Sequence, residues 1–386
     1  MRRIGIVTTS RADYGIYRPI LFALRKRRVS FELYVTGTHL HKGFGESVRL
    51  IEKDGFPIAA RIKTVLGPTP RDISRTMGQV TAGFADVLDS RKPDILVVLG
   101  DRFEMHAMAI AAVPFGIPVA HIHGGELTYG AIDDMFRHSL TKLSALHFAS
   151  TPEYARRIRQ MGEDPSRVIV SGAPGLVSSD RSRLLTQEQL ARQFRIDFDK
   201  QVFLVTFHPV TQEYQNTHVY VKNLLNALAC FKDAFFVFTG MNADAGHDLI
   251  ETKISGFIKK HKNAVLVKNF GSQGYLSMLA HAQVMVGNSS SGIIEAPSYK
   301  LPVVNIGTRQ AGRVRAANVI DVGYRVEDIR RGIMRGLSAP FNKRLKGLKN
   351  PYFRPDAAEI IADTLCKIEL QSLALKKFKD VYGKNK

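Results

Sequence analysis

The sequence predicts two α/β domains, each built around a doubly wound parallel sheet. Short apolar runs rich in β-branched residues recur at even spacing, and Ile95–Leu99 is one of the longest of them. Helical patterns separate these runs, which is the arrangement of right-handed βαβ units. Strands that are apolar throughout are typical of a sheet covered by helices on both faces.

The first half of the chain contains one complete series of strands and helices. Strands are predicted at 3–9, 31–37, 94–100, 117–123, 146–150 and 168–172. Helices are predicted near 16–28, 71–90, 103–115, 133–144 and 152–162. Because strand, helix and strand follow one another at this spacing, we expect one parallel sheet in this half.

A polar segment at 173–200 interrupts the pattern and predicts a linker. Further strands follow near 202–207, 235–239, 265–269, 284–287 and 302–306. Helices are predicted near 217–231, 245–261, 273–282, 292–299 and 325–337. We therefore assign 1–175 to an N-terminal domain, 176–200 to the linker and 201–364 to a C-terminal domain. The segment Asp356–Lys379 predicts an amphipathic helix, and we expect the C-terminal helix 365–386 to join the N-terminal domain.

Length and composition exclude several classes of protein. The 386 residues suit two domains of roughly 100–200 residues each. Apolar residues make up 45% and charged residues 23%, which excludes a disordered chain. The two cysteines, Cys230 and Cys366, exclude a disulfide framework, so we expect a cytoplasmic protein. No apolar run approaches the ~20 residues that span a membrane, and Ile4–Val7 is too short for a signal peptide.

The chain carries 55 Lys and Arg against 35 Asp and Glu, a formal net charge of +20. A nucleic acid, a membrane surface and a phosphorylated small molecule are candidate partners, and a basic host proteome is the alternative. The excess is spread along the chain, and no RNP, helix-turn-helix or zinc-finger pattern is present. We therefore expect no nucleic-acid and no membrane partner.

Ligands of doubly wound sheets bind at the carboxyl ends of the strands, so the residues after each predicted strand are the candidate site. Arg11 follows the first strand at a helix start, which suits phosphate, although Ser10 or Asp13 could simply cap that helix. The sequence here is not G-x-G-x-x-G, so a dinucleotide site is not supported. Asp101 and Arg102 follow the third strand, where Asp101 is either a site carboxylate or a helix N-cap.

The fourth strand ends in the sequence His121-Ile122-His123-Gly124-Gly125-Glu126. Two histidines two residues apart point the same way from a strand and suggest a pair of metal ligands. No third ligand follows at a zinc-like spacing, so we expect no metal. The two glycines allow the backbone to approach a ligand closely, and Glu126 follows them.

The next loop and helix start bring further charged residues to the same edge. Asp133 or Asp134 can cap this helix, and Arg137 and His138 follow one turn later. Carboxylates that converge on one edge repel one another, which raises some of their pKa values and suits proton transfer. The first half therefore predicts a set of acid and base groups.

The second half predicts a site for a nucleoside diphosphate. His208 follows its first strand as a candidate acid, base or phosphate contact, and Asn242 follows the second. Small residues then lead from the fourth strand into a helix: Ser289, Ser290, Ser291 and Gly292. Their N–H groups and the helix dipole suit a diphosphate, and an ordinary capped helix is the alternative. Glu295 is placed to accept the ribose hydroxyls, and Arg309 and Arg313 add cations.

These residues resemble the hydrolysing UDP-N-acetylglucosamine 2-epimerases of sialic-acid-type sugar biosynthesis. Seven motifs occur in order: S-R-A-D-Y at Ser10–Tyr14, G-D-R-F-E at Gly100–Glu104, G-G-E at Gly124–Glu126, I-D-D-x-x-R-H at Ile132–His138, H-P-V-T at His208–Thr211, G-N-S-S-x-G at Gly287–Gly292 and G-T-R-Q-x-G-R at Gly307–Arg313. The resemblance covers nearly the whole chain. It implies the GT-B fold, in which two Rossmann-like domains border a cleft, and a homodimer or homotetramer.

The resemblance also implies a reaction that needs no metal, NAD or other cofactor. UDP departs from C1, loss of the C2 proton gives a 2-acetamidoglucal, and addition of water gives N-acetylmannosamine. The implied diphosphate contacts are the turn at Ser289–Gly292 with Arg11, Arg102 and Arg309. The implied proton carriers are Asp101, Glu126 and Asp133, while Arg137 and His208 also belong to the site and Glu295 holds the ribose.

One position departs from the family pattern. Several relatives carry a catalytic Glu where this chain has His123, so either His123 or Glu126 takes that role. The change is also consistent with another sugar, such as a 2,4-diacetamido-2,4,6-trideoxy hexose on the route to legionaminic-type acids, or with a GDP-sugar. A non-hydrolysing epimerase and a GT-B glycosyltransferase are further alternatives, and the N-terminal carboxylates argue against the transferase.

Overall fold

The computed structural model describes residues 2–44, 46–65, 67, 69–129, 131–178, 184–240 and 247–380. Contacts divide the chain into two compact units. Unit 1 comprises Met1–Glu126, Asp133–Ser178 and Tyr352–Lys386, and unit 2 comprises Leu127–Ile132 and Ser179–Pro351. Each unit is an α/β domain with a parallel sheet, which confirms the predicted fold class.

Thirteen strands are present in the described residues, and they form one sheet in each unit. Unit 1 contains β1 (Arg3–Thr8), β2 (Ser30–Val35), β3 (Ile58–Arg61), β4 (Ile95–Leu99), β5 (Val119–Ile122), β6 (Leu146–Ala149) and β7 (Val168–Val170). Unit 2 contains β8 (Gln201–Thr206), β9 (Ala234–Thr239), β10 (Ala264–Val267), β11 (Val284–Gly287), β12 (Val303–Ile306) and β13 (Val319–Val322). The strand orders are β3-β2-β1-β4-β5-β6-β7 and β10-β9-β8-β11-β12-β13. In each sheet the chain adds strands to one side of its first strand, β1 or β8, and then to the other side, as in a doubly wound sheet.

The helices alternate with these strands. They are α1 (Arg11–Lys26), α2 (Val48–Lys53), α3 (Pro70–Ser90), α4 (Phe103–Ala112), α5 (Asp133–Leu143), α6 (Pro152–Gln160), α7 (Gln187–Phe194), α8 (Thr217–Ala229), α9 (His247–Lys260), α10 (Gly271–His281), α11 (Ser291–Ile294), α12 (Val326–Leu337), α13 (Ala339–Arg344), α14 (Ala357–Lys367) and α15 (Leu370–Ala374). Within the described residues, no helix combines the length and the apolar character that crossing a membrane requires.

Several helices differ from their predicted bounds, and local interactions explain the two largest differences at single helices. Helix α1 begins five residues earlier than predicted, because the Ser10 side chain accepts from the Asp13 N–H while the Asp13 carboxylate accepts from the Ser10 N–H. The predicted helix at 292–299 is a single turn, α11, followed by a 3-10 turn at Ala296–Tyr299. Pro297 lies in that turn, and its missing N–H removes a helical hydrogen bond. The predicted helix at Asp356–Lys379 is divided into α14 and α15.

The sequence patterns predict neither β3 nor β13, which lie at edges of their sheets. All four residues of β3 are at least partly exposed, and β13 contains the exposed Asp321. An edge strand pairs with one neighbour only, so half-exposed side chains suffice and no strong apolar pattern is needed.

The sheet of unit 1 is covered partly by the C-terminal end of the chain. All five residues of β4 are buried, as its continuous apolar sequence predicts. Ile361 and Leu365 of α14 are fully buried in the same core as Ile4 and Ile6 of β1. Arg27, which follows α1, lies 2.8 Å from Asp363 of α14. The last helices therefore complete the core of unit 1.

The sheet of unit 2 requires a glycine at the end of β11. Gly287 has a φ of +142°, and a Cβ atom built on it would lie 1.8 Å from the backbone oxygen of Thr206 in β8. No other residue allows the two strands to approach so closely at this point. The turn that follows β11 is thereby fixed next to β8.

Candidate active site

The carboxyl ends of the adjacent strands β4 and β5 carry the first group of candidate residues. Gly100 and Asp101 follow β4, and the Gly100 N–H donates to the Ile122 carbonyl oxygen at 2.9 Å. His123 follows β5, and its own N–H donates to the Phe148 carbonyl oxygen at 3.0 Å. Backbone hydrogen bonds to the neighbouring strands therefore fix where both loops leave the sheet.

Arg137 of α5 joins these loops. Its side chain is 2% exposed, and one guanidinium nitrogen donates to the Asp101 carboxylate. Its Nη1 donates to the His123 carbonyl oxygen at 3.0 Å and lies 3.5 Å from the Glu126 carboxylate. The repulsion expected between converging carboxylates is therefore offset by a buried cation between them. Asp101 is not the N-cap of α4, because Arg102 occupies that position.

His123 and Glu126 form a buried pair. The His123 Nδ1 lies 2.7 Å from the Glu126 Oε1, which also accepts a hydrogen bond from the Ser150 hydroxyl at 2.8 Å. An ionised carboxylate only accepts, so the proton of a neutral His123 is on Nδ1 and its Nε2 carries a lone pair. This Nε2 is buried and has no hydrogen-bond partner among the described residues.

The backbone of His123 is strained. Its φ is +63°, in the left-handed region that non-glycine residues rarely adopt. The expectation that His121 and His123 point the same way was wrong, because β5 ends at Ile122 and strand alternation stops there. Residues held in this region cluster at functional sites, and His123 is the one among the described candidate site residues that adopts it.

His121 has a separate, structural environment. Its Nε2 donates to the Gly100 carbonyl oxygen at 2.7 Å, and its Nδ1 lies 3.3 Å from the Thr141 hydroxyl. Burial lowers the pKa of His121 to about 3, so the ring is neutral at physiological pH. His121 therefore holds the loop that carries Asp101. Among the described residues, no three His, Cys, Asp or Glu side chains are arranged to hold a metal ion.

The remaining candidates of unit 1 lie at helix starts. Arg102 forms two hydrogen bonds to the buried Glu104, at 3.0 and 3.1 Å, so part of its charge is already compensated. Arg11 is the first residue of α1, after the Ser10 cap, and burial lowers the pKa of its guanidinium. Asp133 is the first residue of α5 and is partly buried.

In unit 2, His208 and Asn288 are held together by reciprocal hydrogen bonds. The His208 N–H donates to the Asn288 side-chain oxygen at 2.7 Å, and the Asn288 amide donates to the His208 carbonyl oxygen at 2.8 Å. The Asn288 carbonyl oxygen accepts from Arg309 at 3.3 Å and from the Gln310 amide at 2.9 Å. Asn288 therefore links the loops that follow β8, β11 and β12.

The turn of small residues after β11 leads into the single helical turn α11. Tyr275 donates to the Ser291 hydroxyl at 2.7 Å, and the Ser291 N–H lies 3.3 Å from the Ser289 hydroxyl. Burial and the nearby Glu295 raise the pKa of Tyr275, which stays protonated and continues to donate. At Gly292, a Cβ atom would lie 2.7 Å from Val303, so packing against β12 favours glycine.

Arg313 is buried and lies 3.4 Å from the Thr128 hydroxyl, also in unit 2. Asn242 falls outside the described residues. Sequence reasoning missed Glu104, Ser150 and Asn288 as residues of these clusters. Glu104 and Asn288 lie inside two of the quoted motifs, G-D-R-F-E and G-N-S-S-x-G, which was the available signal.

Comparisons with known proteins show which family this chain is similar to. The profile of the family described as UDP-N-acetylglucosamine 2-epimerase matches residues 23–366. The chain is 39% identical over 360 residues to the polysialic acid biosynthesis protein P7 of Escherichia coli, covering 92% of each. It is 38% identical over 323 residues to the GDP/UDP-N,N'-diacetylbacillosamine 2-epimerase (hydrolyzing) of Campylobacter jejuni, covering 83% of this chain and 84% of that one.

A solved structure shows the same fold. The UDP-GlcNAc 2-epimerase from Neisseria meningitidis, bound to UDP-GlcNAc, matches with a TM-score of 0.82 at 20% identity. The match covers 95% of this chain and 100% of that one. Two Rossmann-like domains of the GT-B type are therefore common to both proteins.

Proposed function

Because this chain belongs to the hydrolysing UDP-N-acetylglucosamine 2-epimerase family, we propose that it releases a nucleoside diphosphate from a 2-acetamido sugar and inverts the sugar at C2. The substrate we propose first is UDP-N-acetylglucosamine, which gives UDP and N-acetylmannosamine. The Escherichia coli relative supports this choice, since it is named for polysialic acid biosynthesis.

The reaction consumes one water and no oxidant or reductant. The bond between C1 and the diphosphate oxygen breaks, and both electrons leave with the diphosphate. A base removes the proton from C2, which gives the 2-acetamidoglucal. Water then adds its oxygen to C1 and gives one proton to a base, while an acid returns a proton to C2 on the opposite face. The site must therefore stabilise a leaving diphosphate and move protons at two faces of one carbon.

The observation that carries the proposal is the buried pair of His123 and Glu126. The Nδ1–H of a neutral His123 donates to the Glu126 carboxylate, so its Nε2 is a proton acceptor with no hydrogen-bond partner among the described residues. A buried polar atom left without a partner costs about 1–3 kcal/mol, and a bound substrate can remove that cost. We assign proton transfer to His123, with Glu126 orienting the ring. In this proposal, His123 performs the proton transfer that a glutamate performs at the same position in several relatives.

Asp101 is the second proton carrier in this proposal. Its side chain is 22% exposed, against 1% for Glu126, so it is the more accessible of the two carboxylates. Arg137 fixes its orientation by a charge-assisted hydrogen bond. Asp133 is the alternative second carrier, since it is partly buried at the start of the same helix.

The diphosphate is assigned to unit 2. Within the described part of the chain, the backbone N–H groups of Ser289 and Ser290 donate to no backbone acceptor, so they are available to a diphosphate. Arg309 donates to the Asn288 carbonyl oxygen, at the start of the same turn, so its guanidinium adds a positive charge there. Because α11 has four residues, N–H groups and cations carry this assignment and the helix dipole adds little. Glu295 is proposed to hold the ribose.

A 2,4-diacetamido sugar is the second candidate substrate. The Campylobacter jejuni relative, nearly as similar as the one from Escherichia coli, is named for diacetylbacillosamine and for both GDP and UDP. The two candidates differ at C4 and C6 and share the chemistry at C1 and C2. A direct comparison of the two substrates therefore decides between them.

The test is an NMR time course in D2O with UDP-N-acetylglucosamine and, separately, UDP-N,N'-diacetylbacillosamine. Free UDP together with a free sugar deuterated at C2 and inverted there supports the proposal, and the faster substrate identifies the sugar. An intact UDP-sugar epimerised at C2 would indicate a non-hydrolysing epimerase. Sugar transfer to an added acceptor, with C2 unchanged, would indicate a glycosyltransferase.

Variants test the assigned roles. H123Q and E126Q should each lower turnover by about 10²–10⁴-fold, the range of general acid–base catalysis. H106Q is the matched control, because His106 contacts Ser139 at 2.8 Å and is not assigned to the site. An H123Q enzyme as active as H106Q would contradict the role given to His123.

A further inference from the structure

The C-terminal strap, which we define as Leu375–Lys379, is bound to the end of α5. The Lys376 ammonium donates to the carbonyl oxygens of Thr141 at 3.3 Å and of Lys142 at 2.7 Å. It also donates to the carbonyl oxygen of Ser144. The last carbonyl groups of a helix have no intrahelical partner and carry partial negative charge, so a cation here both satisfies and stabilises them.

Lys376 is itself fixed by a buried carboxylate. Its ammonium lies 2.7 Å from Glu163, which follows α6 and has a side chain only 3% exposed. Lys142 of α5 lies 2.6 Å from the same carboxylate, and the His147 Nε2 donates to it at 3.0 Å. One buried anion therefore connects the strap, α5 and β6.

Aromatic and backbone contacts complete the attachment. The Phe378 ring lies over the Lys142 ammonium at 4.6 Å from its centroid. The same ring packs on Gly162, where a Cβ atom would lie 2.5 Å from it. The Lys379 N–H donates to the Gly162 carbonyl oxygen at 2.9 Å. Two residues of the strap besides Lys376 thus contact this end of α5 or the turn after α6.

The attached helix carries part of the candidate site. Arg137 of α5 binds Asp101 and lies 3.5 Å from Glu126. Thr141, whose carbonyl oxygen accepts from Lys376, has its hydroxyl 3.3 Å from His121, and His121 donates to Gly100 beside Asp101. A displacement at the end of α5 therefore changes the contacts of both loops that carry site residues.

We propose that Lys376 is a positioning residue: by binding the carbonyl groups at the end of α5, it fixes the helix that carries Arg137. It does not touch the reacting atoms in this proposal. Loss of its ammonium removes this donor from the carbonyl groups of Lys142 and Ser144 and leaves the Thr141 carbonyl with the Ser144 N–H. It also leaves Glu163 with one cation fewer. The helix end then moves, and Arg137 no longer holds Asp101 and Glu126 in one geometry.

The test compares K376M with K376R and with the control K377M in the full chain. Lys377 is the next residue of the strap and is exposed. For K376M we expect amide hydrogen exchange at 133–145 to accelerate about tenfold or more, and kcat to fall about 10- to 100-fold. KM should change less than about twofold, since the nucleotide contacts are unchanged. K376R keeps the charge and should recover part of kcat.

The kinetic measurements in this test rest on the proposed function, whereas the hydrogen-exchange measurement does not depend on it. If the wild-type protein releases no nucleotide from any tested sugar, the proposed function fails and exchange alone decides whether the strap holds α5. Exchange in K376M equal to that in K377M would overturn the inference. So would faster exchange with unchanged kcat, because α5 would then move without affecting the reaction. Equal kcat in K376R and K376M would contradict the role of the cation.

Discussion

Replacement of Arg137 by Met tests the arrangement that joins the two site loops. The substitution removes the positive charge and retains much of the side-chain volume. It leaves the Glu126 carboxylate, 1% exposed, without the guanidinium that lies 3.5 Å away. The His123 carbonyl oxygen loses its 3.0 Å donor at the same time. Removal of one partner from a buried ion pair costs about 3–5 kcal/mol, because the remaining charge is buried without compensation.

This loss of stability predicts a decrease in the melting temperature of unit 1. Unit 1 has about 200 residues, and for domains of that size 1 kcal/mol shifts the melting temperature by about 2–4 °C. We therefore expect R137M to lower the melting temperature of unit 1 by about 6–20 °C in differential scanning calorimetry. The control is R156M, since Arg156 forms a pair with Glu153 at 2.8 Å and its side chain is 63% exposed. Exposed pairs contribute about 0–1 kcal/mol.

A double variant isolates the buried charge as the cause. R137M/E126Q removes both charged groups, so it should be more stable than R137M alone. Two results would refute the reasoning. One is a melting temperature for R137M that is no lower than that of R156M. The other is a double variant that is less stable than R137M.

Three further predictions concern other parts of the chain. Burial lowers the pKa of His39 from 6.5 to about 4, so between these pH values the unfolded chain binds a proton at His39 and the folded protein does not. The folded protein therefore loses stability as the pH falls from 6.5 toward 4, and loses none through His39 above pH 6.5. In urea unfolding, H39Q should therefore lose less unfolding free energy than the wild type between pH 7 and pH 4.5. An unfolding free energy that depends on pH as steeply in H39Q as in the wild type would contradict this. S290E should weaken UDP binding about tenfold or more in calorimetric titration, whereas A339E, which adds the same charge elsewhere in unit 2, should bind normally; equal affinities would reject the diphosphate turn. G287A forces a Cβ atom to 1.8 Å from the Thr206 oxygen, so unit 2 should lose about 3 kcal/mol or more, and a normal melting temperature would reject the close approach.

The predictable part of the fold is the part in which burial governs the sequence. Strand β4 is apolar throughout, as expected for a strand that helices cover on both faces, and all five of its residues are buried. Strands β3 and β13 escape prediction because each contains an exposed charged residue, Arg61 or Asp321, which interrupts the apolar pattern. Helix α11 is shorter than predicted because Pro297 follows it closely.

The candidate site divides in the same way. Asp101, His123 and Glu126 are found by their position after strands, since the ends of parallel strands share one edge. The bridging contacts of Arg137 are not predictable from local spacing, because Asp101 lies 36 residues before it. Ser150 and Asn288 reach their partners over 24 and 80 residues. Such contacts depend on the packing of whole elements, which periodicity does not describe.

The division of the chain also sets an order of folding during synthesis. Unit 1 begins at the N-terminus, but Ile361 and Leu365 of α14 belong to its core. Residues 179–351 of unit 2 are made before those residues leave the ribosome. At about 5–20 residues per second, these roughly 170 residues take about 10–35 s to synthesise. During that interval the surface of α1 that later receives α14 is uncovered, so a nascent unit 1 presents an apolar binding surface to chaperones that the finished protein no longer has.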